Sequence, residues 1–208
     1  MSPAKSRRYE SPLRQETAAR TRRRVVEVAS RLFVERGWEG ASMRDVAREA
    51  GCSVETVYAS VGNKTALLKT VLDIAVVGDD AQIALDDRPW FGVGEGPLAT
   101  RVAALAEVSA GIYRRTAELR RVLDSAARSN AELAELDAGS RAQERISRTA
   151  LVSAAAGRPL TELEADAVQS VFSNEIYRLL TTVSGWSHAQ YQQWAADAIV
   201  RLLDLHEE

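Results

Sequence analysis

Residues 41–58 read Ala41-Ser42-Met43-Arg44-Asp45-Val46-Ala47-Arg48-Glu49-Ala50-Gly51-Cys52-Ser53-Val54-Glu55-Thr56-Val57-Tyr58. Ser42 followed three positions later by Asp45 has capping-box spacing, which starts a helix at Met43. Met43, Val46, Ala47 and Ala50 recur at helical spacing and make its inward stripe. Gly51 tolerates the left-handed conformation that ends a helix and turns the chain. Ser53 then caps a second helix, with Val57 inward and Val54, Glu55, Thr56 and Tyr58 outward. Two short helices joined by a glycine turn are the pattern of a helix-turn-helix, whose second helix enters the DNA major groove. A generic helical hairpin shares that pattern, so the flanking sequence has to decide.

Upstream, Thr21 to Gly37 is an amphipathic helix with Val25, Val28, Ala29, Leu32 and Phe33 as its apolar stripe, stopped at Gly37. Downstream, Tyr58 to Val61 ends the second helix, and Asn63 caps a further one that carries Lys64, Leu67 and Leu68 on to Val77. The run from Thr21 to Leu72 resembles the amino-terminal domain of the TetR family of transcriptional regulators. The motifs that carry the resemblance are the Thr21-Arg22 opening, Leu32-Phe33…Arg36-Gly37, Asp45-Val46-Ala47…Ala50-Gly51-Cys52-Ser53 and Tyr58…Lys64…Leu67-Leu68. The resemblance implies a DNA-facing set of Arg22, Ser42, Arg44, Val54, Glu55, Thr56, Tyr58, Ser60 and Lys64. Ser42 and Lys64 match phosphate-binding positions, a role that suits helix amino termini. Arg44 matches a phosphate or base-edge contact, and Thr56 and Tyr58 match contacts to backbone or thymine methyls. Three departures from the family pattern stand at Val54-Glu55, at Ala59-Ser60-Val61, and at Val61 itself, a smaller packing residue in place of a phenylalanine. Val54-Glu55 stands where many relatives have Lys-Gly, and Glu55 either accepts from cytosine N4 or pairs with a neighbouring cation. Ala59-Ser60-Val61 replaces a common aromatic or histidine pair.

Charge is divided along the chain. Residues 1–70 carry 14 Lys+Arg against 8 Asp+Glu, and residues 71–208 carry 13 against 21, for a net charge of −2 over 208 residues. A basic amino-terminal part is the footprint of a DNA-facing end, and an acidic remainder keeps the rest off the phosphates. The expected organisation is a basic, flexible arm over 1–20, a helix-turn-helix domain over 21–70, and a helical effector-binding and dimerisation domain over 71–208. Within the arm, Lys5, Arg7 and Arg8 either follow the minor groove and phosphates or form a solvated tail. Ser11-Pro12 is an alternative start for the first helix.

Residues 78–97 read as an irregular linker. Its Gly92-Val93-Gly94-Glu95-Gly96 run lacks the spacing and the following Lys of a phosphate loop. From Leu98 onward the pattern is helical: Leu98–Thr116, Ala117–Ser129, Ala131–Ala156, Leu163–Val183 and His188–His206. No segment alternates with period two, so the fold class is all-α, a three-helix helix-turn-helix domain followed by a helical domain.

The last two of these helices carry apolar stripes, and the resemblance implies that they form a four-helix bundle between two subunits. Val168, Val171, Leu179, Tyr191, Trp194, Ala198 and Leu202 are the expected interface of a homodimer. Two-fold symmetry matches a palindromic operator with half-sites about 34–36 Å apart. The resemblance also implies a small-molecule effector that releases DNA, as in a repressor. Trp90, Phe91, Tyr113, Phe172, Asn174 and Tyr177 supply aromatic walls and polar handles for it.

Catalysis is not expected. The chain has two histidines and one cysteine, with no zinc set, nucleophile elbow or cofactor fingerprint. No catalytic residue, metal site or cofactor is assigned. Cys52 occupies a small apolar position and reads as a structural thiol. A single cysteine and no long apolar run point to a cytoplasmic protein without a membrane span. The alternative reading, favoured by Val54-Glu55, is a helical adaptor that has lost sequence-specific DNA binding.

Overall fold

A computed structural model describes residues 12–78 and 93–206, with side chains from residue 16 onward. Every regular element in it is helical: α1 (Pro12–Gly40), α2 (Met43–Ala50), α3 (Val54–Val61), α4 (Lys64–Val77), α5 (Leu98–Ala127), α6 (Ala131–Ala156), α7 (Glu162–Ala167), α8 (Asn174–Arg178) and α9 (His188–Leu202). There is no strand among the described residues. The chain divides into two compact units, Met1–Val71 and Leu72–Glu208, and α4 runs through the boundary.

In the first unit, α1 starts at Pro12, the alternative start read from Ser11-Pro12, so residues 12–20 are helical. Proline suits a first helical turn, and Glu16, Ala18, Ala19 and Arg20 are good helix formers. Residues 1–11 lie outside the described residues, and with them the expected contacts of Lys5, Arg7 and Arg8. The α1 backbone breaks at Gly37 (φ 69°, ψ −177°), a left-handed φ that a side chain would strain. The break lets Trp38 fold back onto Phe33, ring centroids 5.9 Å apart. Val25, Val28, Ala29, Leu32, Phe33, Met43, Val46, Ala47, Val57, Val61, Leu67 and Leu68 are all buried, with α1 packed on α2 and α3 and α2 on α3. Each large side chain buried there is worth about 1.5–3 kcal/mol.

In the second unit, α5 is one unbroken helix of 30 residues, where two helices meeting at Thr116–Ala117 were expected. Neither residue breaks a helix, and Thr116 Oγ1 donates to the Ile112 carbonyl at 2.9 Å from within it. The reverse holds for 163–183, expected as a single helix. It divides into α7, a 3-10 turn at Val168–Ser170, α8 and a wider π turn at Leu179–Val183. Ser173 forces the division: its backbone is extended (φ −148°, ψ 156°) and its side chain caps α8 by accepting from the Ile176 N–H. The carbonyl of Val171, released from the helical ladder, accepts from Tyr191 Oη of α9 at 2.9 Å. Val102, Leu105, Ala110, Phe172, Tyr191, Ala195 and Ile199 fill the core among α5, α6, α8 and α9.

Candidate nucleic-acid interface

The helix-turn-helix is built by its caps. Ser42 Oγ accepts from the Asp45 N–H (3.1 Å) and donates to Asp45 Oδ2 (2.5 Å), and Asp45 Oδ2 accepts from the Ser42 N–H (3.3 Å). Gly51 ends α2 in the left-handed region (φ 72°, ψ 35°), and its N–H returns to the Ala47 and Arg48 carbonyls. Ser53 caps α3 by accepting from the Thr56 N–H at 3.1 Å. Val57 and Val61 then anchor α3 to the core, which fixes the rotation of the helix and leaves Glu55, Thr56, Tyr58 and Ala59 exposed, with Val54 and Ser60 half-buried.

Ionic contacts set how α2 lies on α1. Glu49 takes Arg31 Nη2 at 2.5 Å and Arg36 Nη2 at 3.0 Å, and Asp45 takes Arg48 Nη2 at 2.6 Å. The Arg31 hydrogen bond is the largest influence holding the Glu49 carboxyl below its ordinary range, and the Ser42 side chain does the same for Asp45. No ionic role was read for Arg31, Arg36 or Glu49 in the sequence. Three charged residues on two helices show no spacing until the helices cross.

The sequence-derived DNA-facing residues do not all present themselves alike. Ser42, Arg44, Glu55, Thr56 and Tyr58 are exposed, Tyr58 by half its surface. Arg22 is partly buried near the middle of α1. Ser60 Oγ donates to the Val57 carbonyl at 2.9 Å, so its hydroxyl is engaged within α3. Lys64 departs furthest from expectation. Its ammonium donates to the Trp38 carbonyl and sits 4.2 Å from the centroid of the Trp38 ring. Burial lowers its pKa. Lys64 thus clamps the folded-back end of α1, a geometry that competes with phosphate binding. Burial pushes the Cys52 thiol up, which makes it a poor nucleophile.

In the second unit, Tyr113, Phe172, Asn174 and Tyr177 are all buried, while Trp90 and Phe91 lie outside the described residues. Tyr177 packs edge-on against Tyr191 at 4.9 Å, Tyr113 lies 6.2 Å from Tyr177, and Tyr177 Oη shares a 3.0 Å hydrogen bond with His188 Nδ1. Burial lowers the His188 pKa. Asn174 Oδ1 accepts from Thr116 Oγ1 at 2.7 Å. Arg120, buried one turn further along α5, reaches Asp137 at 2.7 Å and Glu144 at 3.5 Å, while its Nη1 has no hydrogen-bond partner among the described residues. Arg141 gathers Asp124 (2.9 Å), Asp137 (3.1 Å) and Glu175 (3.0 Å). Sequence reasoning missed this ionic group because its members come from three helices. Arg115 was missed as well: its Nε and Nη2 donate to the carbonyls of Ala75 (2.8 Å) and Val76 (3.0 Å), closing the carboxyl end of α4.

Of the expected dimer-interface residues, Val168, Val171 and Tyr191 are within 5% of full burial inside their own subunit and belong to its core. The division of the 163–183 segment turns them inward. Trp194 and Ala198 are half-buried and Leu179 and Leu202 exposed; Val183, not among the expected interface residues, is exposed as well. No described helix is long and apolar enough to cross a membrane, and no group of metal-ligating side chains occurs among the described residues.

A capped helix pair that holds a second short helix exposed, followed by an all-helical unit, defines a helix-turn-helix regulator. Residues 25–71 match the family described as bacterial regulatory proteins, tetR family. No curated protein matches the chain. Among solved structures, a TetR-family member from Streptomyces coelicolor superposes with a TM-score of 0.60 at 21% identity, covering 88% of this chain and 97% of its own. NalD, the secondary repressor of the MexAB-OprM multidrug efflux pump of Pseudomonas aeruginosa, gives 0.61 at 18%, covering 88% and 96%. MexZ of the same organism, a repressor responsible for antibiotic resistance, gives 0.56 at 21%, covering 89% and 94%. Residues 25–71 thus match the model of that family's amino-terminal domain, and over 88% of its length the chain shares the fold of the Streptomyces coelicolor and NalD structures.

Proposed function

We propose that the protein is a homodimeric repressor that binds a palindromic operator through α3 and leaves it when a small-molecule effector binds among α5, α6, α8 and α9. The observation that carries this reading is the exposed outer face of α3, with Ser42 and Arg44 exposed on α2 beside it. Caps and a buried valine pair hold that face outward although it buries nothing within its unit. The dimer is supported by Leu179, Val183 and Leu202, large apolar side chains left exposed on the last helices. The effector site is supported by Arg120 Nη1, since a buried guanidinium N–H without an acceptor is costly and suits a ligand that brings one. An effector shifts the equilibrium only by its preference for the non-binding conformation. α4 is the segment through which that preference passes to the reading head, because Arg115 fixes its carboxyl end.

The test is selection of bound fragments from sheared genomic DNA by the full-length protein at near-physiological salt. Enrichment of one palindromic site is the expected outcome, and compounds related to the products of adjacent genes should then release it. A second reading, a helical adaptor without sequence-specific DNA binding, is favoured by the absence of any Lys or Arg from α3. A confirmed folded dimer that enriches no site would establish that reading instead.

A further inference from the structure

The acidic side chains of the helix-turn-helix are treated unequally. On α2, Asp45 and Glu49 each sit against an arginine, at 2.6 Å and 2.5 Å. Glu55, one residue into α3, is fully exposed and takes part in no ion pair among the described residues. Its own backbone N–H, and then the Ser53 side chain, hold its carboxyl below the ordinary range, so it is ionised at neutral pH. The sequence Val54 to Val61 contains no Lys or Arg to offset it. Glu55 therefore brings an uncompensated negative charge to the face of α3 that enters the groove, where it meets phosphate repulsion from both strands unless it finds a donor.

Only exocyclic amines offer carboxylates a donor in the major groove, and the two differ. Adenine N6 lies between two acceptors, its own N7 and thymine O4 across the pair. Cytosine N4 has guanine O6 on one side and a C–H edge on the other. A carboxylate is repelled from both flanks at adenine and from one at cytosine. We propose that Glu55 is a specificity residue that accepts from cytosine N4 and fixes one cytosine in each operator half-site. This rests on the reading of the chain as an operator-binding dimer.

A helix-dipole role for an acid in the first turn would also explain Glu55, but that role concerns stability and carries no base preference. The experiment is therefore selection from a randomised duplex library by the full-length protein and by E55Q and E55A, with thermal melts confirming that all three are folded. The wild type is expected to enrich cytosine at one position per half-site, with cytosine→thymine there weakening binding by about tenfold. E55Q is expected to move that position toward adenine, which a glutamine amide can bind at N6 and N7. E55A is expected to lose preference at that position alone while binding unrelated DNA more tightly. An operator whose base preferences are the same in all three proteins would overturn the role of Glu55 and leave operator binding intact. Failure of the wild type to select any site would overturn both.

Discussion

Lys64 separates what a sequence position suggests from what its surroundings permit. Its place at the start of α4 suits a phosphate contact, yet its ammonium is held by the Trp38 carbonyl and ring. A charge-assisted hydrogen bond of this kind contributes about 1.5–3 kcal/mol. K64M should accordingly lower stability in urea by about 1–2 kcal/mol while leaving the salt dependence of operator binding unchanged. R44A should do the opposite, with stability held and the slope of log K against log salt reduced by about 1. A slope that fell equally for K64M would return Lys64 to the phosphate backbone. The clamp was invisible in the sequence because Trp38 lies 26 residues away and reaches Lys64 only after Gly37 turns the chain. The roles of Ser42, Gly51 and Ser53 were legible because caps act on neighbours in the chain.

At the scale of elements, the broken 163–183 segment depends on a single buried hydroxyl. Tyr191 Oη is the described partner of the Val171 carbonyl where the helical ladder opens. Y191F keeps the ring and removes the donor, so it should cost about 1–3 kcal/mol, the penalty for a buried acceptor left without its partner. Urea unfolding measures it, and a loss under about 0.5 kcal/mol would show the break to be self-sufficient. The attachment of α4 is a parallel case. R115A releases the Ala75 and Val76 carbonyls and should speed hydrogen exchange in the last turn of α4. If α4 carries the effector response, R115A also lowers operator release at saturating effector. Helical periodicity revealed that these segments are helical, since it repeats every few residues. It could not show where a helix stops when the stop is a serine cap at Ser173 and the freed Val171 carbonyl is taken up by a tyrosine twenty residues on.

For the whole molecule, charge and apolar surface decide behaviour together. The Arg158 guanidinium, followed by the Thr161 backbone and side chain, holds the Glu164 carboxyl at about 2, against an ordinary 4.5. Arg158 also reaches the Leu203 carbonyl at 3.3 Å, so this pair joins the start of α7 to the end of α9. Its contribution to stability is present above pH 4.5 and is lost as the pH falls toward 2. Glu144, pushed up by burial, works in the opposite sense: its contribution is whole below its ordinary value and is lost as the pH rises through the raised one. E164Q should therefore flatten the fall in Tm between pH 4.5 and 2.5, read by thermal melts across that range; an unchanged profile would place the acid sensitivity elsewhere. At the same scale, L179E combined with V183E should convert a dimer into a folded monomer by light scattering, because each puts a charge on an exposed apolar position of the last helices.

The sequence by itself determined the helix-turn-helix, down to its caps and the valine that turns α3 outward, and it determined that the rest is helical. Both follow from interactions between residues a few positions apart. In the carboxyl-terminal helices, tertiary structure alone decided which apolar residues are core and which are surface, moving Val168, Val171 and Tyr191 inward and leaving Leu179 and Val183 exposed. It also decided that Lys64 is a clamp and that Glu55 makes no ion pair among the described residues. Those outcomes depend on partners distant in the chain, and no local pattern encodes where a distant residue will come to rest.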